Sequence, residues 1–87
     1  MKYVIYYGPA TDMGKARELF AEHQAKWDKH QKDGTLLMIG PFANPAEGAM
    51  GVFTTREAAQ AFIDEDPFVT QGVVSSWKIS EWLEAIF

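Results

Sequence analysis

The sequence predicts a single small α+β domain. Four short segments rich in apolar, aromatic or β-branched residues have the length of strands, and two segments carry apolar residues at helical spacing. Turns rich in Gly, Pro, Asp and Asn separate them. The order β-α-β-β-α-β is that of the ferredoxin-like split βαβ arrangement, in which right-handed crossovers place both helices on one face of a four-stranded antiparallel sheet. Because 87 residues leave no room for a second domain, residues 1–87 are assigned to one.

A strand and a long helix are predicted at the N-terminal end. Residues 2–7 are rich in Tyr, Val and Ile, and the Gly-Pro that follows ends the strand. Thr11 or Asp12 can cap the next helix, which we extend to about Lys32, before the helix stop at Asp33-Gly34. The apolar face of this helix contains Ala16, Leu19, Phe20, His23 and Trp27. His30 lies two turns beyond His23, and we predict that it is on the surface.

A hairpin, a second helix and a last strand follow. Residues 35–40 and 49–54 are predicted to pair as an antiparallel hairpin. Thr55 caps a helix over residues 56–65. After a turn at Asp66, residues 73–80 form the fourth strand. We expect residues 81–87 to form a C-terminal tail of one or two helical turns, with Trp82, Leu83, Ile86 and Phe87 as its apolar side chains.

The predicted sheet has two apolar faces. An antiparallel sheet with one face in water alternates apolar and polar residues, but the strands over residues 2–7 and 35–40 are apolar on both sides. Only the last strand has a polar line, at Ser76, Lys78 and Ser80. We therefore expect the second face to be covered by the same sheet of another copy, in a homodimer or a higher homo-oligomer.

Composition argues against several classes of function. The net charge is −4 and the basic residues are scattered, so a nucleic-acid partner is not expected. The absence of cysteine excludes disulfides, thiolate catalysis and zinc–thiolate sites. No apolar run approaches the ~20 residues of a membrane span and no signal segment is visible, so we expect a cytoplasmic protein without a membrane partner. Two histidines seven residues apart make no metal triad, and the scattered glycines make no phosphate loop, so no cofactor is expected.

His23 and Asp66 are the candidate chemical groups. Because Pro67 disfavours the α conformation at the preceding residue, Asp66 is suited to be the N-cap of a short helical turn. His23 lies on the sheet-facing side of the first helix, between Phe20 and Trp27. One interpretation is a packed core histidine and a purely capping aspartate. The other is a dyad, since a carboxylate on one imidazole nitrogen fixes the tautomer and raises the basicity of the other.

Three segments of the chain resemble the YCII-related domain family. They are residues 17–23, residues 33–42, and residues 66–69 with the Gly72-Val73 that follows, and the match covers about residues 1–82. The resemblance implies a ferredoxin-like fold, a dimeric α+β barrel, and a His–Asp pair in a pocket between helix and sheet. His23 and Asp66 match that pair. One characterised branch of the family is a dehydrochlorinase acting on a chlorinated hydroxyquinol, and related dimeric α+β barrels include muconolactone isomerases.

Two hypotheses on function follow. The first is a small cofactor-free enzyme of the lyase or isomerase type, similar to the dehydrochlorinase, in which His23 moves a proton on a small cyclic or aromatic substrate. Asp66 would orient His23, and the apolar pocket walls would be Phe20, Trp27, Met38 and Phe68. The second is a non-catalytic homodimer that binds a small ligand or another protein, since one fold hosts both kinds of function.

Overall fold

The computed structural model describes residues 1–85. Its elements, in chain order, are β1 (Lys2–Tyr7), α1 (Met13–Lys32), β2 (Leu36–Pro41), a 3-10 turn (Pro45–Glu47), β3 (Ala49–Phe53), α2 (Arg56–Glu65), α3 (Pro67–Thr70) and β4 (Trp77–Trp82). The four strands form one antiparallel sheet in the order β2-β3-β1-β4. The predicted α+β class and the β-α-β-β-α-β order are confirmed, with α3 as a single added turn. No helix within residues 1–85 is both long enough and apolar enough to cross a membrane.

Local capping explains where the two main helices begin. The carboxylate of Asp12 accepts a hydrogen bond from the Lys15 N–H at 3.0 Å, and the Thr55 hydroxyl accepts one from the Ala58 N–H at 3.1 Å. Each bond satisfies one of the free N–H groups at a helix start. Gly34, with a φ of 85°, follows α1 in the left-handed region that favours glycine. Both predicted caps and the predicted stop are therefore present.

The core lies between the helices and one face of the sheet. Ile5 and Tyr7 of β1 point toward α2, because alternate residues of a strand share a face. The main cluster of buried apolar side chains consists of Ile5, Tyr7, Leu36, Phe53, Ala59, Phe62 and Ile63. This arrangement fixes the helix-facing side of β1, on which the candidate site is built.

The opposite face of the sheet, here called the open face, carries apolar residues and no helix. Val4 lies opposite Val52, and Tyr6 lies opposite Met50. Met38 pairs with Val52 across β2 and β3, after a bulge in β2, so it belongs to the same face. Its side chain is 61% exposed. The open face therefore leaves apolar surface in contact with water in the single chain.

The prediction for the C-terminal segment is wrong in part. The fourth strand begins at Trp77, not at residue 73, and only an isolated bridge between Ala10 and Val74 precedes it. The strand continues through Glu81 and Trp82, for which a helix was predicted. Pairing with the central strand β1 satisfies their backbone groups, whereas one or two isolated helical turns are unstable. Leu83 is exposed and not helical, and Ile86 and Phe87 lie outside the described residues.

The prediction that His30 is on the surface is also wrong. Its ring is only 4% exposed and packs edge-on against Phe62, with ring centroids 5.5 Å apart. Seven residues are almost two full helical turns, so His30 lies on the same side of α1 as His23. The Nε2 atom of His30 lies 3.4 Å from a carboxylate oxygen of Glu65. The helix therefore buries both histidines beneath its sheet-facing side.

Glu65 contacts both the buried His30 and the exposed Lys29. Hydrogen bonds from Lys29 at 3.0 and 3.1 Å, helped by His30, hold the pKa of the Glu65 carboxyl below its usual range, against the opposing effect of burial. The stabilisation from a lowered carboxyl pKa is present above the unfolded value of 4.5 and is lost as the pH falls through the folded value.

We therefore expect Glu65→Gln to lower the free energy of unfolding at pH 7 by no more than about 1 kcal/mol, because the ion pair is partly exposed. The difference from the wild type should shrink as the pH falls below 4.5. Urea unfolding across this pH range measures both. A difference that stays constant with pH would show that the charge of Glu65 is not its cause.

Candidate active site

Asp66 occupies the junction between α2 and α3. Its backbone, with φ −70° and ψ 117°, is extended, as expected before Pro67. The Asp66 N–H donates to the Phe62 carbonyl at the end of α2, and its Oδ1 atom accepts from the Phe68 N–H at 3.0 Å. The predicted capping role is confirmed. The side chain is 0% exposed, so the junction holds a carboxylate entirely within the protein.

His23 meets this buried carboxylate. Its Nδ1 atom lies 2.7 Å from Asp66 Oδ1, a short distance typical of a charge-assisted hydrogen bond. Because an ionised carboxylate can only accept, Nδ1 must carry the proton that it donates. In the neutral imidazole, Nε2 is then the atom with the free lone pair. The helices bring together two residues that are 43 positions apart in the chain.

Tyr7 is a member of the cluster that the sequence analysis missed. Its hydroxyl donates a hydrogen bond to Asp66 Oδ2 at 3.1 Å. Burial, with the charge of Asp66 and this hydrogen bond, raises the pKa of Tyr7 far above its usual value, so the hydroxyl keeps its proton. The period of two in β1 indicated that Tyr7 faces the helices, and a buried tyrosine hydroxyl needs a partner. Nothing in the sequence identified Asp66 as that partner.

Aromatic side chains surround the imidazole of His23. The Phe68 ring stacks on it with centroids 4.0 Å apart and planes 4° apart. Trp27 meets it edge-on at 5.1 Å, and Phe20 lies at 6.3 Å. Phe62, which was not predicted for the site, packs edge-on at 6.2 Å. Three of the four predicted pocket walls therefore lie against His23, and their role in binding a substrate stays a prediction.

The structure places Met38, the fourth predicted wall, elsewhere. It lines a cavity of about 420 Å³ between α1 and β2, with Trp27, Gln31, Leu36, Leu37 and Ile39 as the other lining residues. His23, Phe20 and Phe68 do not line this cavity. Trp27 packs against the His23 ring and also lines the cavity. Met38 is thus separated from His23 by Trp27 and by the edge of the sheet.

One edge of the His23 ring remains reachable. The residue is 8% exposed. Its Nε2 atom has no hydrogen-bond partner in the part of the chain described, and it is not among the buried unpaired atoms there, as His30 Nδ1 is. Nε2 is therefore the nitrogen of the dyad that has no hydrogen bond to the described residues and is not completely buried. The arrangement can accept a proton at Nε2 while Asp66 stabilises the resulting imidazolium.

The fold and the buried pair define a class of small α+β proteins that hold a histidine–carboxylate dyad between a helix and a helical turn. Residues 1–83 match the YCII-related domain family, and the chain belongs to that family. No curated protein matches the chain. A solved structure of similar shape is 5-chloro-2-hydroxyhydroquinone dehydrochlorinase (TftG) from Burkholderia phenoliruptrix AC1100, in complex with 2,5-dihydroxybenzoquinone. The TM-score is 0.80 at 16% identity, over 98% of this chain and 96% of that one.

Proposed function

We propose that this protein is a small enzyme of the lyase or isomerase type that uses His23 as its general base and acid. The observation that carries the proposal is the 2.7 Å contact between His23 Nδ1 and Asp66 Oδ1, which leaves Nε2 as the free nitrogen. Asp66 orients the ring and stabilises its charged form. General acid–base catalysis by such a group typically contributes about 10²–10⁴ in rate.

The surroundings of His23 favour a flat, apolar substrate. The ring is bordered by Phe68, Trp27 and Phe20, and aromatic faces and edges bind planar rings by offset stacking and edge contacts. Phe20 is largely exposed, so part of this wall is available to a ligand. Met38 would contribute from the neighbouring cavity, on the other side of Trp27. A small cyclic or aromatic molecule with an acidic hydroxyl or C–H fits these contacts.

The reaction class that we propose is the elimination of HCl from a chlorinated polyhydroxybenzene. TftG is named for this reaction on 5-chloro-2-hydroxyhydroquinone. In such an elimination two hydroxyl groups lose their protons, the carbon that carries chlorine gains one proton, and chloride leaves with the electron pair of the C–Cl bond. The net loss is HCl, and the organic product is a hydroxyquinone. Oxidation of the ring is balanced by the loss of the chlorine substituent, so no external oxidant or cofactor is required. Nε2 of His23 would take a proton from one hydroxyl group and return it to that carbon, and the other hydroxyl proton would pass to solvent.

A substrate screen tests this proposal. The purified chain is incubated with 5-chloro-2-hydroxyhydroquinone, with its dechlorinated analogue, and with small unsaturated lactones as isomerase substrates. Chloride release and the quinone absorbance are followed together. We expect equimolar chloride and quinone from the chlorinated substrate, above the rate of a His23→Ala blank. Turnover equal to that blank on every compound would overturn the proposal.

A second proposal, a non-catalytic homodimeric module, is favoured by one observation. His23 is 92% buried by its own chain, and the cavity beside it does not include its ring. In this proposal the dyad holds α1 to the α2–α3 junction, and the cavity between α1 and β2 binds a small ligand or a segment of another protein. Unchanged ligand binding in variants without the dyad, together with no turnover in the screen, would favour this module.

We also propose that two copies of the chain pair through the open face. Tyr6, which is 39% exposed, and the partly exposed Met50 leave an apolar sheet surface that no helix covers, and self-association through a two-fold axis buries the same patch on both copies. The exposed Met38 lies at the border of this patch. Two sheets packed in this way would form the dimeric α+β barrel.

The expected result for Met38→Glu is a shift from dimer to monomer, because a buried carboxylate without a partner is unfavourable. Sedimentation velocity at several concentrations measures the shift. Met13→Glu is the matched control, since Met13 is 57% exposed, close to the 61% of Met38, but lies at the start of α1. A wild-type monomer at all concentrations, or equal effects of both substitutions, would contradict the proposed interface.

A further inference from the structure

We propose that Tyr7 is a positioning residue, whose hydroxyl holds the Asp66 carboxylate in the one orientation that fixes the tautomer of His23. The kinetic consequence of this inference rests on the proposed function. The structural consequence, a defined tautomer of His23, does not. The residues that carry it are Tyr7, Asp66 and His23, joined by contacts of 3.1 and 2.7 Å.

The backbone of Tyr7 is held on both sides. At the end of the central strand β1 it pairs with Ala49 of β3 and with Trp77 of β4. Gly48, with a φ of 85°, comes so close to the Tyr7 carbonyl that a Cβ at this position would overlap it. The Tyr7 side chain therefore extends from a backbone position that is paired with a strand on each side. Its hydroxyl connects the sheet to a junction that is otherwise held by helical residues.

The two carboxylate oxygens of Asp66 accept different numbers of hydrogen bonds. Oδ1 accepts from both His23 Nδ1 and the Phe68 N–H, while Oδ2 accepts from Tyr7. Without the tyrosine hydroxyl, Oδ2 would have no donor among residues 1–85, and the carboxylate could rotate about its Cβ–Cγ bond. Rotation lengthens the contact with Nδ1, and the preference for the Nδ1–H tautomer weakens with it. Because Tyr7 stays protonated, its donation persists throughout the physiological pH range.

One more contact depends on the same carboxylate. The Phe68 ring stacks on the imidazole at 4.0 Å, and its backbone N–H is bound to Asp66 Oδ1. The orientation of the Asp66 carboxylate thus determines the position of the His23 imidazole and that of the Phe68 ring stacked on it. A buried hydroxyl on the opposite side of the carboxylate from His23 has no direct contact with the imidazole, so its influence must pass through Asp66.

The test is Tyr7→Phe, which removes the hydroxyl and keeps the packed ring. Long-range ¹H–¹⁵N NMR correlations of the histidine rings report which nitrogen carries the proton. In the wild type we expect His23 to be almost wholly the Nδ1–H tautomer. In Tyr7→Phe the ratio of Nδ1–H to Nε2–H should fall roughly fivefold, the change expected from one lost hydrogen bond of ordinary strength. An unchanged ratio would overturn the inference.

Tyr6→Phe is the matched control. Tyr6 is the next residue of the same strand, but it lies on the open face, with Lys78 over its ring. The His23 ratio should be unchanged in this variant, and an equal fall in both variants would overturn the specific role of Tyr7. His30, which does not contact Asp66, serves as an internal reference in every spectrum.

The NMR readout needs no substrate, so it separates this inference from the proposed enzyme. A shifted tautomer in Tyr7→Phe, with no turnover by the wild type, supports the positioning role and contradicts the enzyme. With a substrate at hand, positioning predicts a fall in kcat with little change in KM, because the hydroxyl touches no substrate. Normal kcat in a variant whose tautomer has shifted would contradict the link between tautomer and rate.

Discussion

Asp66→Ala is expected to lose about 3–5 kcal/mol of unfolding free energy, a loss comparable to removing a large buried side chain of the core. The alanine leaves three donors without their acceptor: the buried His23 Nδ1 and Tyr7 hydroxyl, and the partly buried Phe68 N–H. Such a loss is a large fraction of the total stability of about 5–15 kcal/mol of a small domain. Urea unfolding followed by circular dichroism measures it, and the variant should be partly unfolded at 37 °C.

Two further variants show whether the effect belongs to the buried carboxylate. Asp66→Asn keeps the shape and one accepting oxygen, so the expected loss is smaller, about 1–3 kcal/mol. Asp64→Ala removes an exposed carboxylate two residues earlier, whose one hydrogen bond within residues 1–85 comes from the Gln60 side chain, and should be close to neutral. A loss in Asp66→Ala no greater than in Asp64→Ala would show that the three hydrogen bonds contribute little to stability.

The stability of the Asp66 variants does not by itself distinguish an enzyme from a binding module. In both proposals the carboxylate joins α1, β1 and the α2–α3 junction, so its removal is destabilising. The proposals differ at Nε2 of His23, the atom that makes no hydrogen bond to the described residues. A purely structural histidine has no need of a free, reachable nitrogen. The decisive measurements are therefore made at His23, with Asp66 intact.

Local sequence signals account for most of the fold. The caps at Asp12 and Thr55 and the stop at Gly34 act within a few residues, and the structure has each of them. The turn at Asp66-Pro67 is local for the same reason, because proline restricts its predecessor whatever the rest of the chain does. Segments of this kind can be predicted from one sequence. The order of the elements then gives the topology, because crossover handedness leaves few alternatives.

The predictions failed where contacts with residues distant in the sequence determine the local structure. Glu81 and Trp82 have a helix-compatible composition, but β1 offers them hydrogen bonds that a short helix cannot. His30 has polar neighbours in sequence, yet the length of α1 carries it over Phe62 and into the core. The bond between Tyr7 and Asp66 spans 59 residues, and no local pattern selects that pair. Contacts of this kind follow from the packed structure and not from propensity.

The candidate site likewise has one part that local sequence signals predicted and one part that they did not. Helical spacing placed His23, Phe20 and Trp27 on one side of α1, and the structure has them in contact. Met38 was grouped with them as a further apolar wall of the predicted pocket. The bulge between Leu36 and Met38 instead aligns Met38 with Val52, on the open face. One inserted residue reverses the face of the side chains that follow, and a bulge has no strong sequence signal in an apolar strand.

His23→Gln is expected to lower kcat by about 10²–10⁴ on any substrate that the wild type turns over, while the domain stays folded. The amide N–H of glutamine can still donate to Asp66, so the carboxylate keeps a partner, but the side chain has no nitrogen that accepts a proton at neutral pH. KM should change little, because the aromatic neighbours Phe20, Trp27 and Phe68 remain. Steady-state kinetics with the substrate found in the screen gives both constants.

His30→Gln is the matched control for this experiment. It makes the same substitution on the same helix, two turns away, at a residue that is equally buried but contacts Glu65 and not Asp66. If His23 transfers the proton, only His23→Gln loses turnover, although both variants can lose stability. Equal losses of kcat in the two variants would show that packing of α1 limits the rate. Full activity in His23→Gln would exclude a chemical role for the dyad, because Nε2 is the only atom through which it can act on a substrate.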